Sequence, residues 1–455
     1  MNTSFFGEMF ETISERGRAL LDRSRNRRGN ALQRSESLVD LCEELLSGRG
    51  EASGAALARE ILNMYGALTT GPRIAFFEGL ETRFGPDPAR VARAVEKYSA
   101  DPGDAAMLEL HRSTEPRRLE LLRRLNLAPA GTAALVRMRE QLLEAMARRD
   151  DLAPVDADFV NLFQSWFNRG FLVLRRIDWS TPANILEKII EYEAVHEISD
   201  WKDLRTRIDP PDRRCYAFFH PALVDEPLIF VEVALTREIA GAIPPILAIG
   251  GERLNPEKAT TAIFYSISNC QRGLAGVSFG SFLIKQVVAE ISREFPRLST
   301  FVTLSPAPGF ANWLRRERRR EVPGLLSEDD RKALEPLDEA GWSDEAAIAE
   351  KLKEPLLRAA ATYYFAARTR SGAPVDPVAR FHLGNGARLE RINWLADPSP
   401  KGLKQSHGIM VNYLYDLDDI EKNHEAYAGS RIIVASSAVK RMAPAASREL
   451  VPAAQ

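Results

Sequence analysis

The sequence predicts an α+β chain of two domains: a helical bundle over residues 1–178, then an α/β domain over 179–455 with a mixed central sheet. Length is one reason, because 455 residues exceed what a single hydrophobic core usually organises. A second is a change of apolar spacing near Asp178-Trp-Ser-Thr-Pro182, from helical repeats before it to strand-like runs after it. The third is a glycine-rich stretch at 269–280, set between a strand-like run and a helix-like one.

In the first half Leu38, Leu41, Leu45 and Leu46 share one helical face behind Ser35 and Ser37, both good N-caps. Val91, Ala94, Val95 and Tyr98 repeat the pattern after Pro86-Asp-Pro88, as do Leu135, Met138, Leu142 and Met146. Gly48-Arg-Gly50, Gly85-Pro86, Asp101-Pro-Gly103 and Ala128-Pro129 punctuate these repeats as loops of a bundle do. In the second half, residues 214–219 and 227–235 are rich in aromatic and β-branched side chains and predict strands. A strand over 261–268, a glycine-rich loop, a helix over 281–294 and a strand over 299–304 follow. Near the end, Ile409, Val411, Tyr413, Tyr415 and Leu417 alternate as one strand with a buried face would.

The 61 basic and 63 acidic side chains nearly cancel, so no global charge argues for nucleic acid. The stretch carrying Arg16, Arg18, Arg23, Arg25, Arg27 and Arg28 lacks interleaved aromatics and is read as a solvated helical terminus. Arg315-Arg-Glu-Arg-Arg-Arg320 has the same reading, with a role near an anionic ligand left open. Three cysteines at wide spacing (Cys42, Cys215, Cys270) argue against a disulfide framework or a cysteine metal site. They point to a reducing compartment, and the expected one is the cytoplasm. No apolar run reaches the roughly 18 residues of a membrane span, so no membrane partner is expected. The first residues, MNTSFFGEMFETISERGR, do not form a secretory signal, and PAAQ is not a peroxisomal ending.

The most informative local segment runs from Phe264 to Ile291. A strand ends, Gly273, Gly276 and Gly280 allow tight turns, and a helix with the apolar face Leu283, Ile284, Val287, Val288 and Ile291 begins. Free N–H groups at such a helix start attract phosphate, and a purely structural turn has the same signature. The spacing fits neither a dinucleotide fingerprint nor a P-loop. It loosely resembles the pyrophosphate loop of acetyltransferase-like, acyl-CoA-binding folds, with Gln271 and Arg272 placed to supplement the backbone donors. Further on, Val302-Thr-Leu-Ser-Pro-Ala-Pro-Gly-Phe310 ends a strand in Ser305, held by a proline-rich turn. Phe381-His-Leu-Gly-Asn-Gly-Ala387 offers His382. Taken singly, the serine reads first as a capping or turn hydroxyl and the histidine first as a satisfied, partly buried side chain.

The motifs FYSIS, GLAGVSFGSFLIK, EFP and LSPAPGF between Phe264 and Phe310 resemble the malonyl-CoA decarboxylase family. The resemblance continues through Asp376–His382, Asn385-Gly386, Arg391-Ile-Asn-Trp394, Gly408–Tyr413 and Gly429–Ile433. Upstream it reaches Glu193-Ala-Val-His196 and Arg213-Arg-Cys-Tyr216. It implies a helical N-terminal domain that supports homodimers or homotetramers, followed by an acetyltransferase-like (GNAT-type) catalytic domain. It implies conversion of malonyl-CoA to acetyl-CoA and CO2, with Ser305 and His382 as catalytic residues. The acyl-CoA loop falls on Ala275, Gly276, Val277, Ser278, Phe279, Gly280 and Ser281.

Those residue types suit that chemistry. Decarboxylating a malonyl thioester leaves an enolate delocalised onto the thioester oxygen, so neither a metal nor an organic cofactor is expected. The enzyme must supply a hydrogen-bond donor to the oxyanion and a proton to the α-carbon. The expectation is that His382 donates the proton while Ser305 orients the malonyl head or relays protons, with Asn412 and Tyr413 helping to hold the carboxylate. Ser305 does not read as a hydrolase nucleophile, because no Gly-x-Ser-x-Gly elbow surrounds it. His196 and His407 are expected to border the cleft. The competing readings are an acyl-CoA-dependent N-acyltransferase of the same fold and a non-enzymatic scaffold with a vestigial acyl-CoA domain.

Overall fold

The computed structural model describes residues 31–47, 51–250, 253–277, 282–321, 324–339 and 341–443. The arginine-rich stretch at 16–28, the Gly48-Arg-Gly50 turn and the terminal PAAQ lie outside them. The chain divides into two compact units. One spans Met1–Phe171 with two returns, His220–Val224 and Gln271–Ser278; the other holds the rest. The helical unit's first segment ends at Phe171, and residues 173–177 form a strand. Its alternate residues suit a sheet edge, and its pairing with a later strand is invisible to local periodicity.

The helical unit contains α1 (Ala31–Leu46), α2 (Glu51–Gly66), α3 (Thr70–Arg83), α4 (Pro88–Ala100), α5 (Asp104–Thr114), α6 (Arg117–Asn126), α7 (Gly131–Met146) and α8 (Ala153–Trp166). Local chemistry explains their starts: Asp87 accepts hydrogen bonds from the N–H groups of Ala89 (2.9 Å) and Arg90 (3.3 Å), with Pro88 in the first turn. Of the apolar faces read from sequence, Leu38, Leu45, Leu135, Met138 and Leu142 are buried, whereas on α4 only Ala94 is buried and Val95 is exposed. One buried residue was not foreseen. Arg139, 2% exposed, pairs through Nε with Asp156 at 2.7 Å and donates from Nη1 to the carbonyls of Gly273 and Ala275, both at 2.7 Å. The return segment 271–277 is thus fastened to α7, and Gly273 is needed there because a Cβ would lie 1.9 Å from the carbonyl oxygen of Val136.

The second unit is a mixed sheet with helices on both faces. Its strands are β1 (Val173–Ile177), β2 (Arg213–Phe219), β3 (Pro227–Thr236), β4 (Thr261–Asn269), β5 (Thr300–Thr303), β6 (Ser305–Pro306), β7 (Arg388–Asn393) and β8 (Met410–Leu414). The first four pair in order and antiparallel, β4 and β5 pair in parallel, and β8 lies antiparallel between β5–β6 and β7. β7 had no strand signature in the sequence. The β4–β5 ladder covers Thr261–Phe264 against Thr300–Thr303 and ends with Leu304 N–H on Phe264 O at 3.0 Å. On its other side β4 carries a bulge, because Glu232 faces Ser266 while Val233 faces Phe264, leaving Tyr265 unpaired. The helices α9 (Ala183–Tyr192) and α10 (Trp201–Ile208) cover one face through Ile185, Ile189, Leu204 and Ile208. The other face buries Ile263, Tyr265, Val302, Leu304 and Met410. Among the described residues, no helix is long and apolar enough to cross a membrane.

Replacing Arg139 by alanine removes the charge that pairs with Asp156 and the donor to two loop carbonyls at once. Urea unfolding should show a loss of about 3–5 kcal/mol, the usual cost of breaking a buried ion pair on one side. A loss under about 1 kcal/mol, the range of an exposed pair, would contradict the buried clamp.

Candidate active site

Ser305 is the first residue after the β4–β5 ladder closes, paired across to Val411 of β8. His382 comes from α14 (Pro377–Gly384), a helix of little more than two turns that is fixed at both ends. Asp376 caps its start, accepting from Ala379 N–H at 2.8 Å, with Pro377 in the first turn. The same carboxylate accepts from the Tyr363 hydroxyl at 3.1 Å, which ties the cap to α13 (Ala346–Ala366). At the other end Ala387 N–H returns to His382 O and Gly386 N–H to Leu383 O, both at 3.0 Å, around Gly386 at φ +82°. This is a Schellman closure, and it sets His382 on the last turn.

The imidazole bridges two hydroxyls. Ser305 Oγ lies 3.1 Å from His382 Nε2, and the Tyr415 hydroxyl lies 2.7 Å from Nδ1. Ser305 also donates to Thr303 Oγ1 at 2.9 Å, and Thr303 Oγ1 accepts Tyr413 N–H at 3.2 Å. Because the single Ser305 proton goes to Thr303, Nε2 must carry the hydrogen that points at Ser305. Nδ1 then accepts from Tyr415. Tyr413 stacks on the ring with centroids 4.6 Å apart. Ser305 is 6% exposed and His382 2%, so the serine is the more accessible member of the pair.

Burial sets the charge state. It pushes the His382 pKa from 6.5 down to about 3, so the ring is neutral at physiological pH. It also drives the Tyr415 phenol well above its ordinary value. Among the described residues no carboxylate hydrogen-bonds to His382, in contrast to a hydrolase triad.

The residues singled out in the sequence fall into separate places. Ser305, His382 and Tyr413 meet around one ring. Asn412 lies on the opposite face of β8, as the strand period requires. Its Nδ2 donates to Thr303 O (2.7 Å) and Ala240 O (3.1 Å), and its Oδ1 accepts from Asn393 (2.8 Å) and Arg391 (3.1 Å). That amide has its donors and its oxygen engaged within the protein, so it knits β5, β7 and β8 together and has no donor left for a substrate carboxylate. Gln271, Arg272, Ala275, Gly276 and Val277 belong to the helical unit's return segment. Arg272, Ala275 and Gly276 are exposed there, with Gly276 at φ +77°, while Val277 is buried. Ser278, Phe279, Gly280 and Ser281 lie outside the described residues. Among the described residues no group of His, Cys, Asp and Glu is arranged to hold a metal. His196 sits in the connection between α9 and α10, and His407 packs on Phe310 and Trp342; neither hydrogen-bonds to the Ser305–His382 pair.

Two partners of the pair went unread in the sequence. Thr303 precedes Ser305 by two residues along a strand and so shares its face, a signal that was available. Tyr415 was seen as part of a buried face, but nothing local says that a histidine closes onto it.

The comparisons agree with this architecture. A family model described as the malonyl-CoA decarboxylase C-terminal domain matches residues 170–452, and one for the N-terminal domain of the same family matches 84–167. The chain belongs to the malonyl-CoA decarboxylase family. It is 35% identical to the mitochondrial malonyl-CoA decarboxylase of Anser anser anser, over 94% of this chain and 89% of that one. It is 36% identical to the mitochondrial enzyme of Rattus norvegicus, over 84% of each chain. The crystal structure of malonyl-CoA decarboxylase from Rhodopseudomonas palustris matches with a TM-score of 0.87 at 59% identity, covering 90% of this chain and 99% of that one. The corresponding structure from Agrobacterium vitis matches with a TM-score of 0.85 at 55% identity, covering 89% and 99%. Membership of this carboxy-lyase family gives no support to the N-acyltransferase alternative.

Two measurements test the geometry around His382. In Gly386→Ala, the new Cβ would lie 2.1 Å from Ile420 O at a φ that disfavours side chains, so the melting temperature should drop by several degrees. An unchanged melting temperature would refute the tight closure of α14. The second concerns pH. The unfolded chain protonates His382 below its ordinary 6.5, whereas the folded chain holds it neutral down to about 3. Stability from this group is therefore complete above pH 6.5 and is lost as pH falls towards 3. Buried Glu232, raised to about 8 by burial, titrates with the opposite sign, so a comparison between variants isolates the histidine. Between pH 6.5 and 4 the stability of His382→Asn should fall less steeply than wild type, by up to about 1.4 kcal/mol per pH unit. Parallel curves would show that His382 is not held neutral.

Proposed function

We propose that this chain decarboxylates malonyl-CoA to acetyl-CoA and CO2, and that Ser305, His382 and Tyr415 manage the proton. The observation that carries the reading is the buried hydrogen-bonded line from Thr303 through Ser305 and His382 to Tyr415, in a chain of this family. The bond from the α-carbon to the carboxylate breaks, CO2 leaves, and the electron pair enters the thioester as an enolate. The thioester is itself the electron sink, so the reaction calls for no metal or organic cofactor.

A neutral imidazole whose Nε2–H faces Ser305 suits the second half of the reaction. Ser305 gives its hydroxyl proton to the α-carbon and recovers one from Nε2. Nδ1 takes the Tyr415 proton in the same movement. The phenolate left behind is a far weaker base than a thioester enolate, so the transfer runs downhill even though burial makes Tyr415 a poor acid. A proton from water restores it once product leaves. Before that, hydrogen bonds from the pair to the developing oxyanion contribute about 3–4 kcal/mol each, in the range measured for oxyanion donors. A dry neutral pocket also avoids a standing cation that would stabilise the malonate carboxylate in the ground state.

The segment Ala275–Ser281, with Arg272 and Gln271 beside it, is the proposed coenzyme A pyrophosphate site. Exposed backbone around Gly276 and the clamp from Arg139 support this. Tyr413 would wall the His382 ring by stacking, and Asn412 would position the strands beneath it. A homodimer or homotetramer in the cytoplasm is the proposed working form, and the described cysteines, all free and buried, fit a reducing compartment.

Acetyl-CoA formation from malonyl-CoA by purified, chelator-treated protein is the decisive assay. Ser305→Ala and His382→Asn should each lower kcat by at least about 10²-fold. Tyr415→Phe should lower it by about 10-fold while leaving KM close to wild type, because it acts on the proton and not on binding. Near-wild-type turnover in folded Ser305→Ala or His382→Asn would remove that residue from the mechanism.

A further inference from the structure

The hydrogen-bonded line from Thr303 to Tyr415 ends in a buried phenol, and proton transfer along it leaves a phenolate there. An anion removed from water needs a hydrogen-bond donor. Tyr415 is 2% exposed, so solvent does not supply one. One further polar side chain does: Asn385 acts on the Tyr415 phenol as a hydrogen-bond partner.

Helix geometry puts it there. Asn385 caps α14 with φ −92° and ψ 7°, close to helical, three residues on from His382 and so on the same side of the helix. Its N–H bonds back to the carbonyls of Phe381 and His382, both at 3.1 Å. The amide thus stands one turn beyond the imidazole whose Nδ1 accepts from Tyr415. Tyr415 gives its only proton to Nδ1, so its oxygen is an acceptor towards Asn385, and the amide is the donor. Burial drives the phenol well above its ordinary value, and the Asn385 side chain acts in the opposite direction, as a donor to a phenolate does.

Other contacts hold α14 without this amide. α15 (Ile420–Ser430) closes over its end: Asn423 donates to Gly386 O at 3.2 Å, and His424 Nδ1 lies 2.6 Å from Gly384 O. α15 is in turn paired to α11 (Phe282–Glu294) through Glu421 and Lys285. At the start of α14, Tyr363 braces the Asp376 cap and packs on Phe310 of α12 (Phe310–Arg318), with centroids 5.5 Å apart. The chemistry at residue 385 can therefore be changed while the helix stays in place.

We infer that Asn385 is a positioning residue for the proton transfer, its side-chain N–H holding the Tyr415 oxygen as that oxygen becomes a phenolate. The inference rests on the decarboxylase reading. In one turnover the Ser305 hydroxyl proton goes to the α-carbon, the Nε2 proton to Ser305 and the Tyr415 proton to Nδ1. A proton from solvent then neutralises the phenolate, so one enters for each one delivered to carbon. Asn385 touches neither substrate nor the reacting carbon; it acts through Tyr415.

The test measures kcat and KM for malonyl-CoA in the full chain. Asn385→Leu removes the donor at similar size: kcat should fall about 10-fold, with KM within about twofold of wild type and an unchanged melting temperature. In a Tyr415→Phe background the same substitution should change kcat by less than about twofold, because no phenolate remains to be held. A structural role would lower kcat in both backgrounds. Asn385→Asp gives a second readout. Its carboxylate opposes a phenolate and its protonated form is a donor, so the ratio of variant to wild-type kcat should rise as pH falls through the carboxyl range. The titratable groups nearby are His382, Tyr413 and His424, with Glu421 and Lys285 on α15 and α11. All are present in both proteins, so the ratio isolates residue 385. Wild-type kcat in Asn385→Leu, equal losses in the two backgrounds, or a pH-independent ratio overturns the role of Asn385 and leaves the decarboxylase reading standing. A wild type that makes no acetyl-CoA from malonyl-CoA overturns both.

Discussion

Past Phe264 and Leu304 the two parallel strands at the centre of the sheet cease to hydrogen-bond to each other. β4 continues against β3 through its bulge at Tyr265, and the other chain turns into the Ser305-Pro306 bridge with β8. A parallel pair that parts leaves backbone and side chains at the fork without a ladder partner, and something must occupy that place. Here β8 takes up the load. Its Asn412 amide crosses to Thr303 O, and its Tyr413 N–H crosses to Thr303 Oγ1. Ser305 is placed by this framework and not by its own turn alone, which is why a serine in a plain Ser-Pro sequence has a fixed hydroxyl.

The histidine reaches that hydroxyl through a different economy of local structure. α14 is short, and an isolated helix of its length would not persist. It exists because Asp376 caps it, Tyr363 braces the cap, and Gly386 closes it with a left-handed turn. His382 then lies in a space with hydroxyls at both nitrogens and an aromatic ring on its face. Desolvation without a carboxylate partner makes the ring neutral, and that neutrality separates this site from the hydrolase triads a Ser–His pair first suggests.

The glycine-rich loop shows how one motif can serve two masters. Gly276 has the left-handed backbone expected of a loop that must turn close to a ligand. Gly273 is required by the carbonyl of Val136 on α7, so its lack of a side chain answers to packing within the helical unit. The buried Arg139 clamp belongs to the same arrangement. Residues 271–277 are thus part of the helical unit although they follow the strand β4 in sequence.

The sequence by itself determined the two-part organisation, most of the strands that build the sheet, and the family. Apolar period, turn residues and ordered motifs are local properties, and local properties survive without coordinates. It also pointed to Ser305 and His382, but through resemblance, since alone each had an ordinary structural reading. It missed β1 and β7, whose residues become strands only because a partner strand is present, and it could not show that the Asn412 amide is engaged by Thr303, Ala240, Asn393 and Arg391. Tertiary structure alone decided which side chains share a space. Tyr415 at Nδ1, Thr303 behind Ser305, and a neutral charge on His382 are consequences of burial and of contacts between residues far apart in the chain. No period in the sequence encodes the dielectric around a histidine.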